Sequence, residues 1–312
     1  MKTALISHSD FLKHITPEHV PERVARLEAI AQALADLPLM LIEAPLASDE
    51  DVQRCHSKEY IEMVRGRIPQ DGFVCVDPGR DDETFLSPGS DNAIWRGVGG
   101  AIAAVDAVLA GDVENAFVAA RPPGHHAERA LAMGFCIFGN VAIAAKHALD
   151  HHRLDRVAIV DFDVHHGNGT QALLQDDPRV LFVSSHQMPL WPGTGASSDR
   201  GPVGTILNLP LSPRSTGPAM LAAYDRIVFP ALAEFRPQLL LVSAGFDAHQ
   251  DDPLADLLWT VADYKHLTRR LTDFAARHCD GRLVSVLEGG YDLDALAAST
   301  RAHVEELIRA TE

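Results

Sequence analysis

Apolar runs of strand length recur along this chain, and most of them end in a cluster of polar, chemistry-bearing residues. Val157–Val160 leads into Asp161-Phe162-Asp163-Val164-His165-His166-Gly167, and Leu239–Val242 into Ser243-Ala244-Gly245-Phe246-Asp247. Leu283–Leu287 leads into Glu288-Gly289-Gly290-Tyr291, and Arg121-Pro122-Pro123-Gly124-His125-His126 follows Ala116–Ala119 within a few residues. Helix-period segments separate these runs, which is the pattern of a parallel sheet covered by helices on both faces. In an open sheet of that kind the carboxyl ends of the strands converge on one crevice, where ligands bind. Segments distant in sequence therefore deliver Asp, His and Tyr side chains to one place.

Strands are expected at Thr3–Ser7, Leu39–Glu43, Ala116–Ala119, Val157–Val160, Val180–Val183, Thr205–Asn208, Leu239–Val242 and Leu283–Leu287. Helices are expected at Pro21–Leu37, Asp49–Cys55, Ser57–Arg65, Asp91–Ala110, Gly139–His151, Gly169–Gln175, Pro218–Phe235, Val261–His278 and Leu293–Thr311, where apolar residues recur at helical spacing. Asp71–Gly89 is rich in Asp, Pro and Gly and reads as a long loop. Gln187–Pro202 and Ala248–Leu258 read as loops that line the crevice. With no repeat or linker, residues 1–312 read as a single domain, and 46% hydrophobic residues can fill a large core.

The formal charge of −16 argues against general affinity for a nucleic-acid backbone. Cys55, Cys75, Cys136 and Cys279 lack Cys-x-x-Cys spacing, so they suggest neither a thiolate zinc site nor a disulfide framework. They read as reduced thiols of a cytoplasmic protein. The N-terminal residues lack the apolar core of a signal peptide. No stretch reads as approaching the roughly 20 apolar residues of a membrane span, so no membrane partner is expected. A homo-oligomer is left open.

Asp161, Asp163 and His165 sit two apart, a spacing that in extended backbone turns side chains to one side. Asp163 and His165 can face one metal, with Asp247 as third ligand from a later strand. Two carboxylates and an imidazole form an open site with room for water and substrate. Without a thiolate, Fe(II), Co(II) or Mn(II) rival zinc. His125 and His126, beside that site, suit proton transfer, one taking a proton and the other giving one. Each needs a partner on its other ring nitrogen, for which Asp161 and Asn168 are candidates. Tyr291, after two glycines, suits donation to a developing oxyanion.

At these residues the chain resembles the histone deacetylase / acetylpolyamine amidohydrolase family. The resemblance runs from about His14 to Leu296. Further motifs carry it: Met133-Gly134-Phe135-Cys136, Asn168-Gly169-Thr170, Pro192-Gly193-Thr194-Gly195 and Asp292-Leu293. The Arg-Pro-Pro-Gly form and Asn168 are similar to class II deacetylases and their bacterial relatives. The resemblance implies an arginase-like α/β fold with an eight-stranded, mainly parallel sheet and helices on both faces. It implies Zn2+ on Asp163, His165 and Asp247, while the donor set itself leaves Fe2+ or Co2+ open. It implies His126 as general base, His125 as its electrostatic or general-acid partner, Asp161 orienting His125, Asn168 facing His126, and Tyr291 as oxyanion donor. Phe135 and Trp191 match the aromatic slot for an acyl-lysine stem. Gly134 matches a carbonyl that binds the substrate amide, and Leu254 a rim position. Structural K+ is implied at Asp161, Ser184 and the carbonyls of Asp163, His165 and Ser185. A second K+ is implied at the carbonyls of Leu174, Asp177 and Val180.

The expected activity is zinc-dependent hydrolysis of an acyl amide, releasing acetyl or another short acyl group from acyl-lysine or a small acylated amine. An acetylpolyamine amidohydrolase is the alternative reading. A binuclear manganese ureohydrolase would need more carboxylate ligands, and a non-catalytic acyl-lysine binding module would not need the retained Tyr291 and both histidines.

Overall fold

A computed structural model of the protein describes residues 2–312, without the side chains of 81 and 82. Its centre is an eight-stranded sheet in which every pairing is parallel. In chain order its strands are β1 (Thr3–Ser7), β2 (Met40–Glu43), β5 (Asn115–Val118), β6 (Val157–Asp161), β7 (Val180–Gln187), β8 (Ile206–Leu211), β9 (Leu239–Ala244) and β10 (Leu283–Leu287). In space the order is β2-β1-β5-β10-β9-β6-β7-β8. The last strand of the chain lies between β5 and β9, so the C-terminal strand builds the middle of the sheet, while β1 lies one strand in from the β2 edge. Every residue of β5, β6, β7, β9 and β10 is buried, as continuous apolar runs require when both faces are covered.

Among the described residues there are ten α-helices: α1 (Ala25–Leu34), α2 (Asp49–Val52), α3 (Lys58–Arg67), α4 (Ser90–Ala110), α5 (Asn140–Asp150), α6 (Asn168–Leu174), α7 (Gly217–Ala223), α8 (Phe229–Phe235), α9 (Val261–His278) and α10 (Leu293–Arg309). The helix expected over Pro218–Phe235 is interrupted by a π-helical turn at Tyr224–Val228, just before Pro230. A proline cannot donate its backbone N–H, so the ladder must adjust around it. Helix α4 spans 21 residues with a mean hydropathy of 1.5, long and apolar enough to cross a membrane, contrary to the expectation that no such stretch exists. It is a core helix by its packing, since 72% of that window is buried.

Residues 71–89 also differ from expectation. They form an antiparallel hairpin of β3 (Val74–Asp77) and β4 (Asp81–Leu86) rather than a structureless loop. The signal was present in Asp77-Pro78-Gly79-Arg80. Pro78 sets the second turn position, Gly79 takes the positive φ (82°) of the third, and the Arg80 N–H donates to the Asp77 carbonyl at 3.0 Å. The hairpin stands at the carboxyl end of the sheet and forms part of the site's wall.

Candidate metal centre and active site

Strand register brings the polar clusters together. Asp161 of β6 lies opposite Ser243 of β9, and Ser243 lies opposite Val286 of β10. The segments just beyond these ends are therefore neighbours. Ligand atoms of Asp163, His165 and Asp247 all lie within 4.8 Å of one another. His165 Nδ1 is 3.1 Å from Asp163 Oδ1 and 3.2 Å from Asp247 Oδ2. The carboxylates are fixed by backbone donors: the N–H groups of His165 and Gly289 donate to Asp163, and that of Val164 to Asp247. The flanking glycines make the space. A Cβ on Gly245 would sit 2.1 Å from Asp163 Oδ2, and one on Gly289 2.2 Å from Asp247 Oδ2.

The charge balance of this cluster fits a cation. Both carboxylates are buried, and among the described residues no Lys or Arg reaches either within 4 Å. Burial, and then the charge of Asp163, push Asp247 up to about 7. Burial disfavours charge on His165, but hydrogen bonds to Asp163 and Asp247 override it and raise it to about 10. Two desolvated carboxylates and one imidazole, with no sulfur donor, are a donor set that a divalent transition metal neutralises.

His125 and His126 lie side by side over this floor, their ring centroids 3.9 Å apart and their planes tilted by 42°. Their second nitrogens find different partners. His125 Nδ1 is 3.0 Å from Asp161 Oδ2, whereas His126 Nδ1 is 2.8 Å from Asn168 Oδ1. The two rings titrate in opposite directions. Burial opposes charge on His125, but Asp163, Asp161 and Glu288 outweigh it and hold the ring well above the usual histidine range. Burial, then the positive His125 and His165, drive His126 well below it. Titratable neighbours pushed apart in this way are the usual arrangement of a proton donor beside a proton acceptor.

Several supporting residues had been given no role by sequence reasoning. Glu288 Oε2 accepts the backbone N–H groups of Gly124 and His125, and its Oε1 accepts from Ser243. It ties the histidine loop to β9 and β10. The Asn168 side-chain amide donates to Glu128 Oε1 at 2.9 Å, which turns its carbonyl toward His126. Tyr291 is held twice. Its N–H donates to Asp252 Oδ2 at 2.8 Å, and the Arg26 guanidinium lies 4.9 Å over its ring while donating to the Gly290 and Glu288 carbonyls. Burial keeps the Tyr291 hydroxyl well above the ordinary phenol range, so it remains a neutral donor.

A cleft of about 510 Å³ opens above the floor, and His126, His165 and Tyr291 all line it. Gly134, Phe135, Trp191 and Leu254 form its walls, and Arg80 and Glu83 of the β3–β4 hairpin reach it from the side. The Trp191 ring stands 4.7 Å from that of His126, and the Phe135 ring 5.9 Å from that of Tyr291. Gly134 and Phe135 both have positive φ, 55° and 67°, inside a tight turn closed by Met133 and Cys136. A Cβ on Gly134 would come within 2.5 Å of His126 Cδ2 and 2.6 Å of Trp191 Cη2. Phe135 has its strained backbone held by the Thr84 hydroxyl, which accepts its N–H at 2.9 Å.

The residues expected around K+ divide into two groups. Asp161 and Ser184 pair across β6 and β7, and the Ser185 hydroxyl lies 3.5 Å from the Asp161 carbonyl and 2.7 Å from the Tyr224 hydroxyl. Leu174, Asp177 and Val180 follow one another in a turn where the Asp177 N–H donates to the Leu174 carbonyl and that of Val180 to the Asp177 carbonyl. The Asp177 side chain is engaged by Lys146 and Arg179.

The model of the histone deacetylase domain family matches residues 20–307. The chain is 39% identical over 303 residues to a probable deacetylase of Archaeoglobus fulgidus, covering 94% of this chain and 82% of that one. It is 42% identical over 293 residues to a histone deacetylase-like amidohydrolase of Pseudomonas aeruginosa, covering 92% and 76%. The crystal structure of the HDA15 HD domain superposes with a TM-score of 0.91 at 32% identity, covering 99% of this chain and 89% of that one. With the all-parallel eight-stranded sheet, these matches show that the chain belongs to the histone deacetylase domain family and is a hydrolase of the deacetylase class, acting on amide bonds.

Proposed function

We propose that the protein removes acetyl or other short acyl groups from the side-chain amine of an acylated lysine or from a small acylated amine. The observation that carries this reading is that the cleft lined by Phe135 and Trp191 ends on His126, Tyr291 and His165 at once. An acyl-amine stem entering between the two aromatic side chains would present its amide to a proton acceptor, an oxyanion donor and a cation site together.

Asp163, His165 and Asp247 would hold Zn2+, and Fe2+ or Co2+ would suit the same donors. Such a metal, when bound, polarises a carbonyl and lowers the pKa of water. The rest of the chemistry belongs to the chain. Neutral His126 takes the proton from the attacking water, its free nitrogen set by the Nδ1 contact with Asn168. Protonated His125, paired with Asp161, stabilises the charge that develops and supplies the proton for the departing amine. The Tyr291 hydroxyl donates to the tetrahedral oxyanion. Gly134 lies on the cleft wall, and its carbonyl would accept the substrate amide N–H. K+ beside Asp161 and Ser184, and at the Leu174–Val180 turn, would have a structural role.

At the rim, apolar Leu254 stands with Arg80 and Glu83, one positive and one negative side chain. That mixture gives no preference for a polycation, which favours acyl-lysine and short acylamines over acetylpolyamines. Acetate release from an acetyl-lysine peptide, compared with acetylputrescine and acetylspermidine, tests the assignment. We expect the peptide to be cleaved and Tyr291→Phe to lose that cleavage. Absence of acetate release from all three substrates by metal-loaded protein would contradict the reading.

A further inference from the structure

A second cluster of metal-ligating side chains lies away from the cleft. His147 and His151 are four apart at the C-terminal end of α5, so they share one helix face, and His152 follows in the turn. The rings of His147 and His151 stack, with centroids 4.8 Å apart and planes at 13°. The His152 ring stands 5.4 Å from the first and 5.0 Å from the second. One nitrogen from each of the three lies within 4.8 Å of the others, the same closeness as in the Asp163/His165/Asp247 cluster. Helix α4 contributes Asp106, whose Oδ1 is 2.7 Å from His147 Nε2 and 2.6 Å from His152 Nε2.

Two features of this cluster point to a ligand. Asp106 engages the Nε2 of both His147 and His152, which sets the orientation of two rings from one carboxylate. That is the carboxylate–histidine pairing that commonly orients imidazole ligands and raises their basicity. His147 is 5% exposed, and its Nδ1 is buried with no hydrogen-bond partner. A buried imidazole nitrogen without a partner is costly unless something else takes its lone pair.

We propose that His147, His151 and His152 form a second divalent transition-metal site, with Asp106 supplying the balancing negative charge and the orienting contact. Three imidazoles and a nearby carboxylate suit Zn2+, Ni2+ or Cu2+. Because Asp106 lies on α4 and the histidines on and just after α5, an ion there staples the two helices. The site is remote from catalysis. The N-terminal end of α5 meets the catalytic loop, where Asn140 Nδ2 donates to the Pro122 carbonyl. The histidines sit at the other end of an 11-residue helix, roughly 16 Å away. The bound ion therefore acts on stability and not on turnover.

The test counts zinc in the full chain after equilibration with Zn2+ and removal of free ion by gel filtration. The wild type should retain two per chain. His151→Ala/His152→Ala should retain one and keep its turnover, and Asp247→Ala should also retain one, at the histidine cluster. Asp106→Asn should bind the second ion about 10–100-fold more weakly. Added Zn2+ should raise the melting temperature of Asp247→Ala but not that of Asp247→Ala carrying both histidine substitutions. A wild type that retains a single zinc, lost with Asp247→Ala, overturns the proposal. So does a His151→Ala/His152→Ala variant that retains as much zinc as the wild type, or an equal response to Zn2+ in both melting experiments.

Discussion

Asn168 turns its side-chain carbonyl to His126 Nδ1, 2.8 Å away, and the same side chain donates its amide to Glu128. His126 is thereby oriented by a neutral group, and no carboxylate in direct contact stabilises its protonated form. Burial, and then the positive His125 and His165, hold His126 low, and neutral Asn168 adds no charge to oppose them; burial also disfavours charge on His125, but Asp163 and Asp161 outweigh it and raise that ring.

A carboxylate at position 168 should raise the acid limb of kcat/KM, because it favours the imidazolium of His126. Asn168→Asp alone would set two carboxylates together at Glu128, so the informative variant is Asn168→Asp with Glu128→Gln, whose amide can donate to the new carboxylate. The acid limb should move to higher pH by roughly one unit or more. A pH–rate profile that overlays the wild type would show that the 126–168 contact does not govern the base.

Tyr291→Phe removes one hydroxyl and leaves the contacts of the Tyr291 N–H with Asp252 and of its ring with Arg26 in place. If the hydroxyl acts on the oxyanion, the loss should be on the order of 3 kcal/mol of barrier, or about 10²–10³ in kcat, with KM and metal content little changed. Steady-state kinetics with elemental analysis on the same sample read both quantities.

Gly134→Ala should damage activity through crowding and strained backbone. The added methyl has φ of 55° to contend with and meets the His126 and Trp191 rings closer than 3 Å. A displaced His126 should lower kcat at least tenfold, since small misplacements of a catalytic group are costly. The far-ultraviolet circular dichroism should be unchanged, because the turn lies outside the sheet.

Acid should unfold the protein from an unusually high pH. His14, His56 and His303 are buried, and burial as the leading cause lowers them from 6.5 to about 4, 4 and 3 respectively. Each is neutral in the folded state but protonates near pH 6.5 when unfolded. Their contribution to stability is complete above that pH and is lost as pH falls toward their folded values. Around pH 5 the unfolded chain binds about three more protons from these groups, a slope on the order of 4 kcal/mol per pH unit. His303→Gln should reduce that slope by about one proton's worth. Urea midpoints measured between pH 4 and 7 provide the check.

Much of this site was legible in the sequence because its residues follow buried strands directly. Continuous apolar runs such as Leu239–Val242 locate the strand ends, and parallel topology then dictates that Asp163, His165 and Asp247 meet. The arrangement that holds them was not legible. Glu288, Asp252 and Arg26 act through contacts 39 to 264 residues long in sequence, and no local pattern announces those. The β3–β4 hairpin was hidden for a different reason. Its strands are short and its composition is that of a turn, so only Pro78-Gly79 betrayed it, and Arg80 and Glu83 were lost from the cleft as a result. The apolar length of α4 is masked in the sequence because Asp91, Arg96 and Asp106 punctuate it.

The central claim is that the Asp163/His165/Asp247 cluster holds the metal on which hydrolysis depends. The most direct measurement is acetate release from an acetyl-lysine peptide by protein stripped of metal, verified by elemental analysis, and then reloaded with Zn2+. The account predicts no turnover in the stripped sample, recovery on reloading in the wild type and in His151→Ala/His152→Ala, and no recovery in Asp247→Ala. Stripped protein that turns over as fast as loaded protein, or a reloaded Asp247→Ala that matches the wild type, would contradict it.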